Sequence, residues 1–543
     1  MFHDFIFYGR DTITLVQNRL VWFIRASGFG MSILVLRLCW VSIAHRSKPQ
    51  LSLEQSMERR VLLDSQGKIL AHSLPSFALA ANPKKIMNLK EAVRELHSIL
   101  PFLSKKKLEQ RLSSKKSFVW ICRQLSPKMR LKILSLGIEG LELFKTQKRV
   151  YPYENLFSHV LGSVDTDQQG ISGIEKGCNK IISDQERKKI PIYLSLDTRL
   201  QYVLRKEILS CIKAFQAQGG NGILANIHTG EILAMVSLPD FNSNVKQKDP
   251  GSNAMNRNTS GVYEFGSILK IHNLALFLEE KKGNLDSVFD ATHPIAIGRF
   301  LVKDFKGKCR PLTVREGFLY SSNIVNGKMA LEVGEKAQQS FFSKLSFFNP
   351  IKLELSEYAI PIIPKNWSKA RSITAGYGYG FSVTPLHIVQ SLQILLNNGK
   401  RVPLTLLRRH NKICESPSIF KSRELSKTLS EVMEMAVNTG QAQKVKTNYC
   451  KVGAKTGTAN ILINGRYREH QNLTSCVAVF PMPAPCYVLL ITIDRPKGNA
   501  STHYYHTAGW IVAPVVRSII EKISGFLGII QLSDRTKNFN KAK

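Results

Sequence analysis

Residues 267–278 read Ser-Ile-Leu-Lys-Ile-His-Asn-Leu-Ala-Leu-Phe-Leu. From Ile268 to Leu278 the run is apolar nearly all round, which marks a helix buried on every side. Such a helix needs layers around it, and the flanking sequence supplies strands. Upstream, 222–227 and 231–236 flank His228-Thr229-Gly230 and read as a hairpin. Downstream, 451–459, 475–480 and 487–494 read as three strands, the last two joined by a Pro-rich turn. Mainly helical sequence lies between the early pair and the late three. The expected class is α/β of the α+β kind: an antiparallel five-stranded sheet covered by helices, with a large helical insertion. Asp197 is the expected N-cap of a helix covering this sheet, and 510–523 the expected closing helix.

The chain has 543 residues, 43% of them hydrophobic and 21% charged, as in a folded chain of two or more domains. With 76 Lys and Arg against 40 Asp and Glu, the formal net charge is +36. That balance favours anionic partners such as acidic lipid or phosphate-bearing substrates. No zinc-finger spacing or RNP-like run accompanies it, so no nucleic acid partner is expected. The nine cysteines are odd in number and scattered, with no C-x-x-C, which fits small buried side chains better than a disulfide framework. The histidines show no ligand spacing, so no metal and no cofactor are expected.

Residues 21–44 are mostly apolar and long enough to span a bilayer as one helix. Arg25 can lie at one interface; Arg37 lies deeper and has to snorkel or find a partner. No small-residue cleavage site follows clearly, so the segment reads as an uncleaved signal anchor behind a short segment, 1–20. Arg10 and Arg19 before it are matched by Arg46 and Lys48 after it, which leaves orientation open on charge alone. A lysine- and arginine-rich module occupies 46–190. Its landmarks are 59–67 (a strand ending in a polar turn), Lys148-Arg149-Val150-Tyr151-Pro152 and Gly170-Ile171-Ser172-Gly173-Ile174-Glu175. A second module spans 191–529, and 530–543 is a polar, basic tail expected to be loose.

Three short runs carry chemistry. Ser267 opens the buried helix, and positions i and i+3 share a helix face, so Lys270 is expected beside the Ser267 hydroxyl. Burial and the positive end of the helix dipole both disfavour the ammonium, so the amine can take the serine proton. The same spacing recurs at Ser65/Lys68, Ser104/Lys107, Ser113/Lys116 and Ser418/Lys421, none of them at the mouth of a buried apolar helix. In Ser321-Ser322-Asn323, Ser321 can pass a proton to a leaving amine, and the Asn323 amide can hold both Lys270 and a substrate backbone. Lys455-Thr456-Gly457-Thr458 lies in a strand-like run. Gly457 lets a peptide approach and pair with the strand edge, while Lys455, Thr456 and Thr458 can bind a carboxylate. The N–H groups of Ser267 and Thr458 are the expected oxyanion hole.

These motifs, in this order, resemble those of penicillin-recognising serine acyl transferases. Over nearly the whole chain the sequence is similar to class B penicillin-binding proteins. Thr229-Gly230-Glu231-Ile232-Leu233-Ala234-Met235, Asn256-Arg257 and Tyr263-Glu264-Phe265-Gly266-Ser267 resemble the family's approach to its nucleophile. Gly376-Tyr377-Gly378-Tyr379-Gly380 and Val383-Thr384-Pro385-Leu386 resemble its segment between the second and third motifs. Asn323 and the Gly-Tyr-Gly-Tyr-Gly run are similar to septal, division-type members. Phe265 departs from the family, which usually has proline there.

The resemblance implies the penicillin-binding transpeptidase fold behind a non-catalytic, dimerisation-like pedestal at 46–190. It implies a D,D-transpeptidase that cross-links stem peptides at the division septum through an acyl-enzyme on Ser267, with β-lactams as trapping mimics. It further implies a single-pass protein of the cell inner membrane with its catalytic domain in the periplasm. The implied partners are peptidoglycan stem peptides, the lipid-linked precursor, a membrane glycan polymerase and other division proteins. A β-lactamase needs a deacylating base that the sequence does not offer, and 46–190 leaves little room for a glycan-polymerising domain. An elongation-type transpeptidase and a non-catalytic penicillin-binding scaffold or sensor stay as alternatives.

Overall fold

The computed structural model describes residues 5–46, 58–245, 251–298, 300–409, 416–422, 424–463 and 466–529; the tail expected at 530–543 lies outside the described residues. Helix α1 (Phe5–Arg46) runs unbroken for 42 residues. Its stretch Gln17–Trp40 is long and apolar enough to cross a membrane, includes Arg25 and Arg37, and fits a single-pass anchor. Trp22, Phe23, Phe29 and Trp40 along it are exposed.

The chain then runs through β1 (Leu62–Leu63), β2 (Ile69–Ala81), α2 (Leu89–Ile99), α3 (Lys105–Leu112), β3 (Val119–Leu125), β4 (Leu141–Val150) and β5 (Ile192–Tyr193). These strands form a sheet in the order β3-β2-β1-β5, with β4 also on β2. By compactness the chain divides into two units, one of 1–56, 77–122 and 132–146, the other of 57–76, 123–131 and 147–543. In the first, α2 and α3 bury Ala92, Leu96, Leu108 and Leu112. The Ser104/Lys107 spacing is a helix cap there: Ser104 Oγ accepts the Lys107 N–H at the start of α3.

In the second unit, three landmarks of the N-terminal module meet at one carboxylate. Arg59 Nε and Arg149 Nε donate to the two oxygens of Glu175 at 2.8 and 2.7 Å, and all three side chains are fully buried. Arg59 also donates to the Gln168 carbonyl and Asn179 Oδ1, and Arg149 to the Arg60 carbonyl. Two guanidiniums on one carboxylate need these extra acceptors, because burying charge is costly without them. The polar turn after β1 has a further task. Asp64 accepts the Thr198 hydroxyl at 2.6 Å, at the start of α4 (Thr198–Ala214), which Asp197 caps as expected.

The main sheet is the expected antiparallel one. It has five strands in the order β8-β9-β10-β6-β7, made of β6 (Gly219–Asn226), β7 (Ile232–Leu238), β8 (Gly453–Ile463), β9 (Arg466–Phe480) and β10 (Tyr487–Asp494). One face packs on α4 and α9 (Ala508–Ile523) through Leu204, Ile208, Leu224, Ile491, Val516 and Ile520. The other packs on α5 (Lys270–Glu279), α7 (Pro385–Leu396) and α8 (Leu425–Asn438), burying Leu274, Val389, Leu429, Val477 and Leu490. The helical insertion also supplies α6 (Asn323–Val333). Cys178, Cys211, Cys450 and Cys476 are buried, as small apolar residues would be, but Cys39 and Cys309 are exposed; Cys414 lies outside the described residues.

Removing one partner of a buried ion cluster strands the others without a counter-charge. Glu175→Ala is expected to destabilise the second unit by about 3–5 kcal/mol, read by urea unfolding in detergent. A loss below about 1 kcal/mol means that the cluster is not the anchor of this module.

Candidate active site

Ser267 lies in a tight 3-10 turn, Gly266–Leu269, and the α-helix proper begins only at Lys270. Two contacts fix this turn. The Gly266 N–H donates to the Gly378 carbonyl at 3.0 Å, and Gly266 has φ +50°, a region that favours glycine. A Cβ on Gly378 would lie 1.9 Å from the Gly266 carbonyl oxygen, so the glycine-tyrosine run is pressed against the nucleophile turn. Phe265, in the place of the usual proline, is buried with its ring edge-on to Tyr263.

The second motif sits at the start of α6. Ser321 has φ +57°, a left-handed conformation that costs a non-glycine residue energy. Lys270 Nζ donates to the Ser321 carbonyl at 2.6 Å, to Ser321 Oγ at 3.1 Å and to Asn323 Oδ1 at 2.8 Å. Lys455 Nζ reaches the same Ser321 Oγ at 3.0 Å from β8. One hydroxyl therefore bridges two amines.

Both amines are buried. Burial, and then the nearby Lys455 charge, hold the Lys270 amine well below its usual range, with Asp304 pulling the other way. Burial pushes Lys455 down to about 7. Both shifts run against the ammonium form, so each amine gives up its proton more readily than an exposed lysine does.

The buried Lys270 amine, one turn along from Ser267, is satisfied by three oxygens of the second motif. Two details differ from the expectations. Lys455 faces Ser321 and its neighbouring carbonyl at Thr456 instead of the open cleft. Gly457 makes room for the protein itself: a Cβ there would come 2.6 Å from the Phe265 carbonyl and 2.7 Å from Ile268 Cγ1, so the close approach is that of the nucleophile turn. The strand edge still stands open, because β8 is at the end of the sheet.

Ser267, Ser321, Asn323, Thr456 and Thr458 line one cleft of about 920 Å³. Gly266 lies against Thr458, whose carbonyl would be 3.1 Å from a Cβ at 266, so the Ser267 and Thr458 backbones are neighbours. The Thr458 hydroxyl accepts the Ala508 N–H at 3.0 Å at the start of α9. Asn323 Oδ1 holds Lys270 as expected, while its Nδ2 donates to the Lys303 carbonyl at 2.8 Å.

Sequence reading missed two carboxylates. Asp304 accepts from Ser322 Oγ at 2.7 Å and from the Asn323 and Ile324 N–H groups, holding the helix start that carries the motif. It lies in a lysine-rich loop with no local mark of its task. Glu264 accepts the Gly380 N–H at 2.7 Å and the Tyr467 hydroxyl at 3.0 Å, and burial raises its carboxyl. Its place three residues before Ser267 was the available signal.

Comparison with known proteins agrees on the family. The penicillin-binding protein transpeptidase domain matches residues 220–521, and the penicillin-binding protein dimerisation domain matches 55–191. The chain is 30% identical to the probable peptidoglycan D,D-transpeptidase FtsI of Caulobacter vibrioides, over 93% of this chain and 87% of that one. It is 26% identical to the peptidoglycan D,D-transpeptidase FtsI of Escherichia coli K12, over 86% and 83% of the two chains. A solved peptidoglycan synthetase from Bifidobacterium adolescentis shares the fold, with TM-score 0.68 and 18% identity over 88% of this chain and 96% of that one. The chain belongs to the penicillin-binding transpeptidase family, as a class B member.

The buried amine makes stability depend on pH. Lys455 titrates at about 7 when folded and at about 10.4 when unfolded. Between these values the unfolded state binds more protons, so this lysine's contribution to stability rises with pH. Below about 7 the cost of burying the ammonium is fully present, and by about 10 it is gone. Lys455→Met removes that slope. The wild-type melting temperature is expected to gain on the variant's between pH 6.5 and pH 9.5 in scanning calorimetry; a constant difference refutes the assignment.

Proposed function

We propose that this class B protein is a peptidoglycan D,D-transpeptidase of the division septum, working through an acyl-enzyme on Ser267. The observation that carries the reading is the Ser321 hydroxyl bridged by Lys270 and Lys455 beside an open strand edge.

A stem peptide ending in D-Ala-D-Ala pairs along β8, with its terminal carboxylate at Thr456 and Thr458. Ser267 Oγ attacks the penultimate carbonyl carbon and gives its proton to the neutral Lys270 amine. The N–H groups of Ser267 and Thr458 hold the oxyanion as charge develops. The C–N bond then breaks. The departing D-alanine amine takes a proton through Ser321, which lies between the two lysines. An amine of a second stem peptide attacks the ester carbonyl and loses a proton along the same path, and Ser267 Oγ leaves as the hydroxyl. A β-lactam follows the first half only, since its amine stays tethered and blocks the second. The septal assignment rests on the FtsI relatives, Asn323 and the glycine-tyrosine run. On this reading α1 anchors the protein in the inner membrane with the catalytic domain in the periplasm. It works there on lipid-linked precursor chains beside a membrane glycan polymerase and other division proteins.

Fluorescent penicillin followed by peptide mapping is expected to give one covalent adduct, on Ser267, and none in Ser267→Ala. An adduct elsewhere, or none in the wild type, rejects the mechanism. Depletion is expected to give filamentous cells; rounded cells assign the protein to elongation, and a phenotype fully rescued by Ser267→Ala makes it a scaffold.

A further inference from the structure

The two N–H groups of the expected oxyanion hole lie on different elements, Ser267 on the nucleophile turn and Thr458 on β8. Among the described residues no main-chain hydrogen bond joins the turn to β8. Gly457 against the Phe265 carbonyl, and Gly266 against that of Thr458, are packing contacts. Packing of this kind resists approach strongly and separation only weakly. A chain of hydrogen bonds runs between the two elements instead. At one end, the Gly266 N–H donates to the Gly378 carbonyl at 3.0 Å. At the other, the Asn460 N–H of β8, two residues past Thr458, donates to the Tyr379 hydroxyl at 3.3 Å. Tyr379 is therefore the link between turn and strand.

Tyr379 stands between two glycines, with φ +90° at Gly378 and +86° at Gly380. Glycines on both sides leave the backbone free to swing, so the ring needs an outside hold. Glu264 provides it. Its Oε1 accepts the Gly380 N–H at 2.7 Å, and the Tyr467 hydroxyl of β9 lies 3.0 Å from Oε2 and 3.2 Å from Oε1. With the Gly266 N–H on Gly378, this closes a ring: the main chain on both sides of Tyr379 is bonded to the segment 264–266. Tyr467 also sets its ring edge-on to that of Tyr379, with centroids 5.7 Å apart. The β8–β9 register shifts between Asn460 and Leu462, and Leu462 then pairs with Tyr467; such a shift bends a hairpin. Tyr379 and Asn460 line the cleft, whereas Glu264 and Tyr467 are not part of its lining. Burial raises the Glu264 carboxyl, its two donors pull it down, and among the described residues no cation acts on it. A carboxylate without a counter-charge is costly there. What it supplies is two acceptor oxygens at the one point where three segments meet.

We propose that Glu264 is a positioning residue that braces the nucleophile turn against the β8–β9 hairpin and so fixes the spacing of the Ser267 and Thr458 N–H groups. This rests on the transpeptidase reading. Glu264 acts through Gly380, Tyr379 and Tyr467, and no bond forms or breaks at it. The oxyanion exists only once Ser267 Oγ has attacked. The brace therefore bears on the acylation step and not on the first binding of the acyl donor. The side chain works as an acceptor, so an amide in its place keeps most of the brace: its oxygen can accept the Gly380 N–H, and its nitrogen can donate to the Tyr467 oxygen. The methyl of alanine keeps none of it.

The test uses the full chain in detergent and rapid-quench time courses with fluorescent penicillin at a series of concentrations. The concentration dependence separates the dissociation constant of the first complex from the acylation rate constant. Glu264→Ala is expected to lower the rate constant about 10-fold, less than the loss of a whole oxyanion donor, and to leave the dissociation constant within about twofold of wild type. Glu264→Gln is expected to restore most of the rate. Tyr467→Phe, which removes one arm of the brace, is expected to lose several-fold, and the double variant no more than Glu264→Ala alone. An unchanged rate constant in Glu264→Ala overturns the inference. So does a loss carried by the dissociation constant, a glutamine variant as slow as the alanine one, or losses that multiply in the double variant. Thermal unfolding shows that each variant is folded; if Glu264→Ala is not, Tyr467→Phe, on a half-exposed ring, decides by the same split of rate against binding. Labelling at the wild-type rate in these variants sinks this inference alone, whereas absence of a Ser267 adduct in the wild type sinks the transpeptidase reading beneath it.

Discussion

Two lysine amines buried around one serine hydroxyl are the constraint to which the rest of the catalytic cleft conforms. Neither amine can keep its ordinary proton affinity in that setting, since burial disfavours both ammonium forms and the Lys455 charge further disfavours that of Lys270. Several features elsewhere serve this arrangement. The left-handed backbone of Ser321 directs both its carbonyl and its hydroxyl at Lys270. Asp304 holds the next two N–H groups and supplies the nearest negative charge. The cost of the strained residue is borne by a helix start whose donors are fully satisfied.

The nucleophile turn is clamped by backbone on two sides, and the clamp explains its glycines. On one side Gly457 admits the Phe265 carbonyl to β8, and on the other Gly378 admits the Gly266 carbonyl. A methyl at either point meets main chain, which cannot swing aside as a long side chain can. Phe265 sits in this turn with φ −96°. Among the described residues the outer edge of β8 pairs with no further strand, and an unpaired edge invites a peptide.

The N-terminal module has a different anchor. Its landmarks at Arg59, Arg149 and Glu175 are far apart in sequence, and none bears on catalysis. They converge because one carboxylate with two oxygens can satisfy two guanidinium forks.

Whatever depends on local pattern was determined by the sequence by itself. Apolar periodicity marked the buried helix and all five strands of the main sheet, and Asp197 announced its helix because a cap bonds within its own turn. The three motifs could be read as runs of suitable chemistry at their positions. Tertiary structure alone decided which atom faces which. Lys270 Nζ met the carbonyl and hydroxyl of Ser321 and the Asn323 amide oxygen, Gly457 made room for Phe265, and Asp304 and Lys444 took positions in the cleft that no neighbouring residue foretold. The physical reason is that a spacing of three or four residues limits the partners within one element, whereas a contact between elements depends on how whole faces pack. That packing is set by the sum of many buried side chains, and no short stretch of the chain contains it.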